Sequence, residues 1–155
     1  MKDMSYRTAY SKNPRAQELS RELEAIYMAE RTKVKFPADV VQYVTSRWKR
    51  WTQESFAVIL LDGSHNIMGI RWISRGLVNR TIVHPREVFR PAVRSAACAI
   101  IAIHNHPSGQ TQFSPEDREV HTRLEKAGEI IGIPLLDSLV INRMKSYRSI
   151  LEETK

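Results

Sequence analysis

The period of the apolar positions changes several times along this chain, and each change predicts an element. In "NPRAQELSRELEAIYMAER" Leu19, Leu23, Ile26 and Tyr27 recur at helical spacing, with Asn13 as N-cap and Pro14 at the first helical position. After a break at "KFP", "ADVVQYVTSRWKRW" predicts a second helix with Val40, Val44 and Trp48 on one side. "SFAVILLD" and "NIMGIRWIS" are rich in β-formers and are separated by an Asp62-Gly63 turn, so they read as neighbouring strands. "RGLVNRTIV" is expected to continue the sheet. Pro85 opens a helix to about Ala97 that buries Val88, Phe89, Ala92, Val93 and Ala96. "CAIIAIHN" is almost wholly apolar, as a strand covered on both faces would be. A helix then runs from Pro115 to about Ala127, with Gly128 near its end, and "IPLLDSLVIN" is the last clear strand. Helices and strands interleave, which predicts an α/β fold: a mixed central sheet flanked by helices.

Composition narrows the class. At 155 residues, 42% apolar and 26% charged, the chain is expected to form one main globular domain over residues 37–155. A tail and helix over residues 1–36 precede it. There is no internal repeat or low-complexity tract. The longest apolar runs are far short of a membrane span, and "MKDMSYRTAYSKNPR" has no apolar core of the kind a signal peptide needs. Cys98 is the only cysteine, which excludes an internal disulfide and fits the cytoplasm. Oligomeric state is not legible.

The net charge of +7 is uneven: residues 1–50 carry eleven Lys/Arg against six Asp/Glu, the remainder thirteen against eleven. That surplus favours an acidic partner such as nucleic acid, or is simply the charge of a basic soluble protein. "RWKRW" at 47–51 mixes cations with aromatics as nucleic-acid surfaces do. Cations also suit a helix C-terminus, and Trp48 fits the apolar face.

The densest chemistry is "HNHPSGQTQFSPED", residues 104–117. Histidines at i and i+2 share one face of a strand, so His104 and His106 can turn toward one point. Asp117 could add an oxygen ligand from beyond the turn. Two imidazoles, a carboxylate and a water suit catalytic zinc with one open position, and iron would accept the same set. The plainer reading is a strand end followed by a capped helix, with Ser114 as N-cap and Asp117 in the first turn. Cys98 shares the strand parity of His104, but six residues at about 3.3 Å each put it roughly 20 Å away, so it is expected in the core. No Cys-x-x-Cys follows the histidines, which argues against a zinc nucleobase deaminase.

The full pattern of His104, His106, Ser114 and Asp117 resembles the JAMM motif of the JAB/MPN metallohydrolases. "VHPREVF" at 83–89 and "HNHPSG" at 104–109 look like the bacterial RadC-like branch, and the resemblance covers roughly Trp51 to Asn142. It implies a three-layer architecture similar to that of cytidine deaminases. It also implies Zn2+ held by His104, His106 and Asp117, with Glu54 as general base and acid and Ser114 as oxyanion donor. The implied substrate is a peptide or isopeptide bond in a protein. A DNA-associated repair role is the alternative attached to the RadC name.

Longer relatives carry an N-terminal helix-hairpin-helix region, and the chain is expected to be too short for one. Its first fifty residues show no Gly-containing hairpin of that type. Ser138 follows Asp137 where relatives commonly read Asp-His, which puts a histidine at the rim of the site in doubt. His84 could border the site or mark a helix entrance. Asn105 and Ser108 are expected to shape the turn, and His65 and His121 to lie on the surface.

Overall fold

The computed structural model describes residues 13–29, 32–49, 51–76 and 83–153, with no side chains described for 23–29. Contacts divide the chain into two compact units, Met1–Arg31 and Thr32–Lys155. In the first, helix α1 spans Pro14–Ala29, and Asn13 Oδ1 accepts from the backbone N–H groups of Arg15 and Ala16. Leu19 on this helix is 51% exposed. Leu23, Ile26 and Tyr27 belong to the side chains outside the described set, as does the proposed tail.

The second unit is built on five strands. These are β1 (Ser55–Leu61), β2 (Ile67–Arg75), β3 (Ala99–Asn105), β4 (Leu135–Ile141) and β5 (Tyr147–Ser149). They lie in the order β2-β1-β3-β4-β5. The β3–β4 pair is parallel and the other pairs are antiparallel, so the sheet is mixed. Helices α2 (Pro37–Thr45), α3 (Pro85–Arg94), α4 (Pro115–Ile131) and the short α5 (Ile150–Glu153) accompany it. The fold is α/β.

Strand parity creates two cores. Ala57, Ile59 and Leu61 of β1 and Ile101 and Ile103 of β3 pack with Val40, Val44 and Trp48 on one face. Phe56, Val58 and Leu60, with Ile100 and Ala102, pack with Val88 and Phe89 of α3 and Leu124 of α4 on the other. β1 and β3 are therefore buried on both sides, which is why their sequences are nearly all apolar. The even-numbered positions of β3 face α3 and α4. The next of them is His104.

Several boundaries differ from the sequence expectation. α2 ends at Thr45, because Thr45 Oγ1 and Ser46 Oγ turn back onto the carbonyls of Val41 and Tyr43. Trp48 lies beyond the helix, stacked on Trp51 and edge-on to Trp72. α3 stops at Arg94, Ala96 takes a positive φ of 51°, and Val93 is 58% exposed rather than buried. α4 continues through Gly128 to Ile131 and is closed by Gly132 at φ 80°. Gly128 is in the helix because a side chain there would meet the Ile133 carbonyl at 2.6 Å. Cys98 is exposed, not core, since β3 starts one residue later. Most of the expected "RGLVNRTIV" strand, residues 77–82, lies outside the described residues.

Candidate metal centre

β3 delivers His104 and α4 delivers Asp117, with the Pro107-Ser108-Gly109 turn between them. His104 keeps the strand parity that faces α4, and His106, two residues on, returns to the same side. Ser114 caps α4: its Oγ accepts from Asp117 N at 3.2 Å, while Asp117 Oδ2 accepts from Ser114 N at 2.7 Å. This reciprocal capping fixes the Asp117 rotamer and leaves its carboxylate facing the histidines. His104 Nε2 is 3.2 Å from Asp117 Oδ1, and His106 Nε2 is 3.3 Å from Oδ2. Capping and convergence on the histidines are thus one geometry.

The donor set suits a metal. All three ligand atoms lie within 4.8 Å of one another. Bonds of 2.0–2.2 Å in a tetrahedron place neighbouring donors about 3.3 Å apart, close to the separation of His104 Nε2 from Asp117 Oδ1. His104 Nε2 is buried and makes no hydrogen bond, despite its nearness to Asp117. An orphaned ring nitrogen in the interior is costly unless something binds it, and a cation would. The residues present therefore fit a metal ion.

The electrostatics agree. The hydrogen bond that His106 donates to the Asp117 carboxylate raises the His106 pKa, burial opposes this, and the charges of Asp117 and Glu54 reinforce the rise. Burial would raise the Asp117 carboxyl, but the two imidazoles and the Ser114 N–H hold it well below the usual carboxylate range.

Glu54 is exposed and stands at the mouth of the same cleft, just before β1. The β1–β3 register pairs Ser55 with Asn105 and Phe56 with His104, so the chain at Glu54 runs alongside His106. The cleft has a volume of about 570 Å³, and Glu54, His104, His106, Ser114 and Asp117 all line it. Phe56, stacked against the His104 ring with centroids 6.0 Å apart, gives it an apolar wall.

Other singled-out residues settle differently. His84 is exposed and caps α3, its Nδ1 accepting from Arg86 N. His65 is exposed in the β1–β2 turn. Ser108 Oγ accepts from Gln110 N and does shape the turn. Trp48 and Trp51 are packed together, with Trp48 buried.

Two residues were misjudged from sequence. His121 is half-buried, lines the cleft and shares a 2.8 Å hydrogen bond between Nδ1 and Ser138 Oγ. An imidazole thus stands beside Ser138, supplied by α4; its position one turn after Asp117 was the available signal. Asn105 lies within β3, fully buried, and bonds to the chain around Glu54 rather than to its own turn. Nothing in the linear sequence signals that partnership.

A three-layer α/β domain with a His–His–Asp ligand set on one strand–turn–helix defines a JAB-type candidate metal-binding domain. The chain belongs to the RadC-like JAB domain family, whose pattern it matches over residues 34–155.

It is 41% identical over 136 residues to the UPF0758 protein SH1266 of Staphylococcus haemolyticus, covering 88% of this chain and 59% of that protein. It is 48% identical over 105 residues to a UPF0758 protein of Trichlorobacter lovleyi, covering 68% of this chain and 46% of the relative. UPF0758 protein TTE0897 of Caldanaerobacter subterraneus is 42% identical over 126 residues, with 54% of its length covered. The chain therefore spans roughly half the length of these curated relatives, between 46% and 59%. Among the described residues no helix is long and apolar enough to cross a membrane.

Proposed function

We propose that this domain is a zinc-dependent hydrolase that cleaves a peptide or isopeptide bond in a protein substrate. The observation that carries the reading is the meeting of Glu54 with His104, His106 and Asp117 in one cleft with an apolar wall. Residues fifty positions apart in sequence converge there, and a helix cap alone has no use for either Glu54 or two histidines.

His104, His106 and Asp117 would hold a divalent ion, which would supply Lewis acidity toward a water and a substrate carbonyl. Glu54, exposed to solvent beside His106, accepts the proton of the attacking water and returns it to the leaving nitrogen. Ser114 Oγ already accepts from Asp117 N, and its own proton remains available for the developing oxyanion. Phe56 and Val120 give the cleft apolar surface for a substrate side chain. The lone, exposed Cys98 is compatible with activity in the reducing cytoplasm.

The test is turnover of linear and isopeptide-linked peptides by zinc-loaded protein. Glu54→Gln keeps the metal and loses about 10²–10⁴-fold in kcat. Cleavage of none of these peptides by the unmodified protein, or unchanged turnover in Glu54→Gln, overturns the reading.

A further inference from the structure

Glu54 lies outside β1 on an irregular stretch, yet the chain is tied at Glu54 and on both sides of it. Its carbonyl accepts from Gly76 N at 2.8 Å. Ser55 Oγ donates to Gln53 O at 3.2 Å, and three further ties come from one side chain. Asn105 Oδ1 accepts from Ser55 N at 2.9 Å, and Asn105 Nδ2 donates to Gln53 O at 3.1 Å and to Trp51 O at 2.9 Å. The residues immediately before and after Glu54 are thus gripped by the same carboxamide.

That carboxamide sits between His104 and His106 in sequence and is 1% exposed. Successive residues of a strand point to opposite faces, so the two histidines turn toward the cleft while Asn105 turns away, toward the 51–55 segment. Trp51 stacks on the buried Trp48 with ring centroids 4.9 Å apart, so the far end of the segment is anchored too.

We infer that Asn105 is a positioning residue for Glu54, holding the glutamate's backbone so that its carboxylate stands beside the histidine pair. The catalytic naming of Glu54 rests on the hydrolytic reading above, whereas the tether itself does not. The residue type follows from the bonding. Two carbonyls need two N–H donors and one amide N–H needs an acceptor, and a primary carboxamide supplies all three. An aspartate would set a carboxylate oxygen against two carbonyl oxygens in a buried position, and an alanine would remove the side-chain partner of Ser55 N and Trp51 O and leave Gln53 O only the 3.2 Å bond from Ser55 Oγ. The same residue is one peptide bond from each ligand histidine, so the base and the metal set share one rigid support.

The experiment has two arms. The first uses ¹⁵N relaxation on the metal-free unmodified protein and on Asn105→Ala and Asn105→Asp. In the unmodified protein the Glu54 amide is as rigid as those of β1, with an order parameter of about 0.85, and it falls below about 0.6 in the variants. A mobile Glu54 in the unmodified protein overturns the inference, even if neither variant folds. An unchanged Glu54 in a folded variant also overturns it.

The second arm is a double-mutant cycle in zinc-loaded protein. Asn105→Ala lowers kcat by about 100-fold with KM and zinc stoichiometry unchanged, and has no further effect once Glu54 is glutamine. An equal loss in the Glu54→Gln background would mean that Asn105 acts elsewhere, and would overturn the inference. If the unmodified protein hydrolyses nothing, the hydrolase reading fails, while the first arm still decides the tether.

Discussion

His104 Nε2 lies 3.2 Å from Asp117 Oδ1, buried and without a hydrogen bond. A strand end and a helix start, thirteen residues apart in sequence, place two potential ligand atoms at the spacing a tetrahedral ion requires. The behaviour of the domain with and without metal follows from this contact.

Purified domain is expected to carry one zinc per chain after loading. His104→Ala/His106→Ala abolishes binding, and Asp117→Asn weakens it by orders of magnitude, because the one or two donors that remain cannot hold the ion. Elemental analysis of dialysed protein measures this. Full metal retention in the double-histidine variant would remove these residues as the site.

The pH dependence of stability should change sign with metal. In metal-free protein the His106 pKa is raised, chiefly by its hydrogen bond to Asp117, so its contribution is complete below the ordinary histidine pKa. That contribution disappears as pH rises through the raised value. The depressed Asp117 contributes above the ordinary carboxylate pKa and is lost as pH falls. With zinc, the imidazoles must be deprotonated to bind, so stabilisation grows with pH. Melting temperatures between about pH 6 and 8, with chelator or with zinc, should therefore slope in opposite directions. Parallel slopes would mean that the metal does not use His106.

Ser114 has two assigned tasks that substitutions can separate. Ser114→Ala loses the helix cap, about 1 kcal/mol of stability, whereas Ser114→Gly loses only a few tenths. Both lack the hydroxyl, so turnover falls about 10²–10³-fold in each. Urea melts and kcat together distinguish the roles: turnover that tracks stability instead of the missing hydroxyl would leave Ser114 as a cap alone.

Gly128→Ala should destabilise the domain. Alanine in a helix interior ordinarily gains about 1 kcal/mol over glycine. Here its Cβ would stand 2.6 Å from the Ile133 carbonyl and 3.3 Å from Phe89, and backbone cannot yield cheaply. A loss of about 1–3 kcal/mol in chemical denaturation is expected, and a gain would show that the turn after α4 can relax.

Much of the fold was readable along the chain. The apolar runs of β1 and β3 predicted strands covered on both faces because such strands have no polar face to reveal. Ser114-Pro115 marked the start of α4 because capping is local chemistry. Helix ends were less legible. Gly128 resembles a terminator until the close approach of Ile133 is seen, and Val93 fits an apolar face that α3 turns to solvent.

Within the site the division is sharper. By itself the sequence determined that His104 and His106 share a strand face and that Asp117 opens the following helix, since both follow from backbone period and capping. The family resemblance pointed to Glu54, but only the tertiary structure put it in the same cleft, and only it decided that Asn105 grips the chain around it and that His121 meets Ser138. Those relationships depend on the antiparallel register that sets Ser55 against Asn105 and on the packing of α4 over the sheet. Strand pairing and helix packing are long-range choices, made by burial across the whole core, and no local pattern of residue types records them.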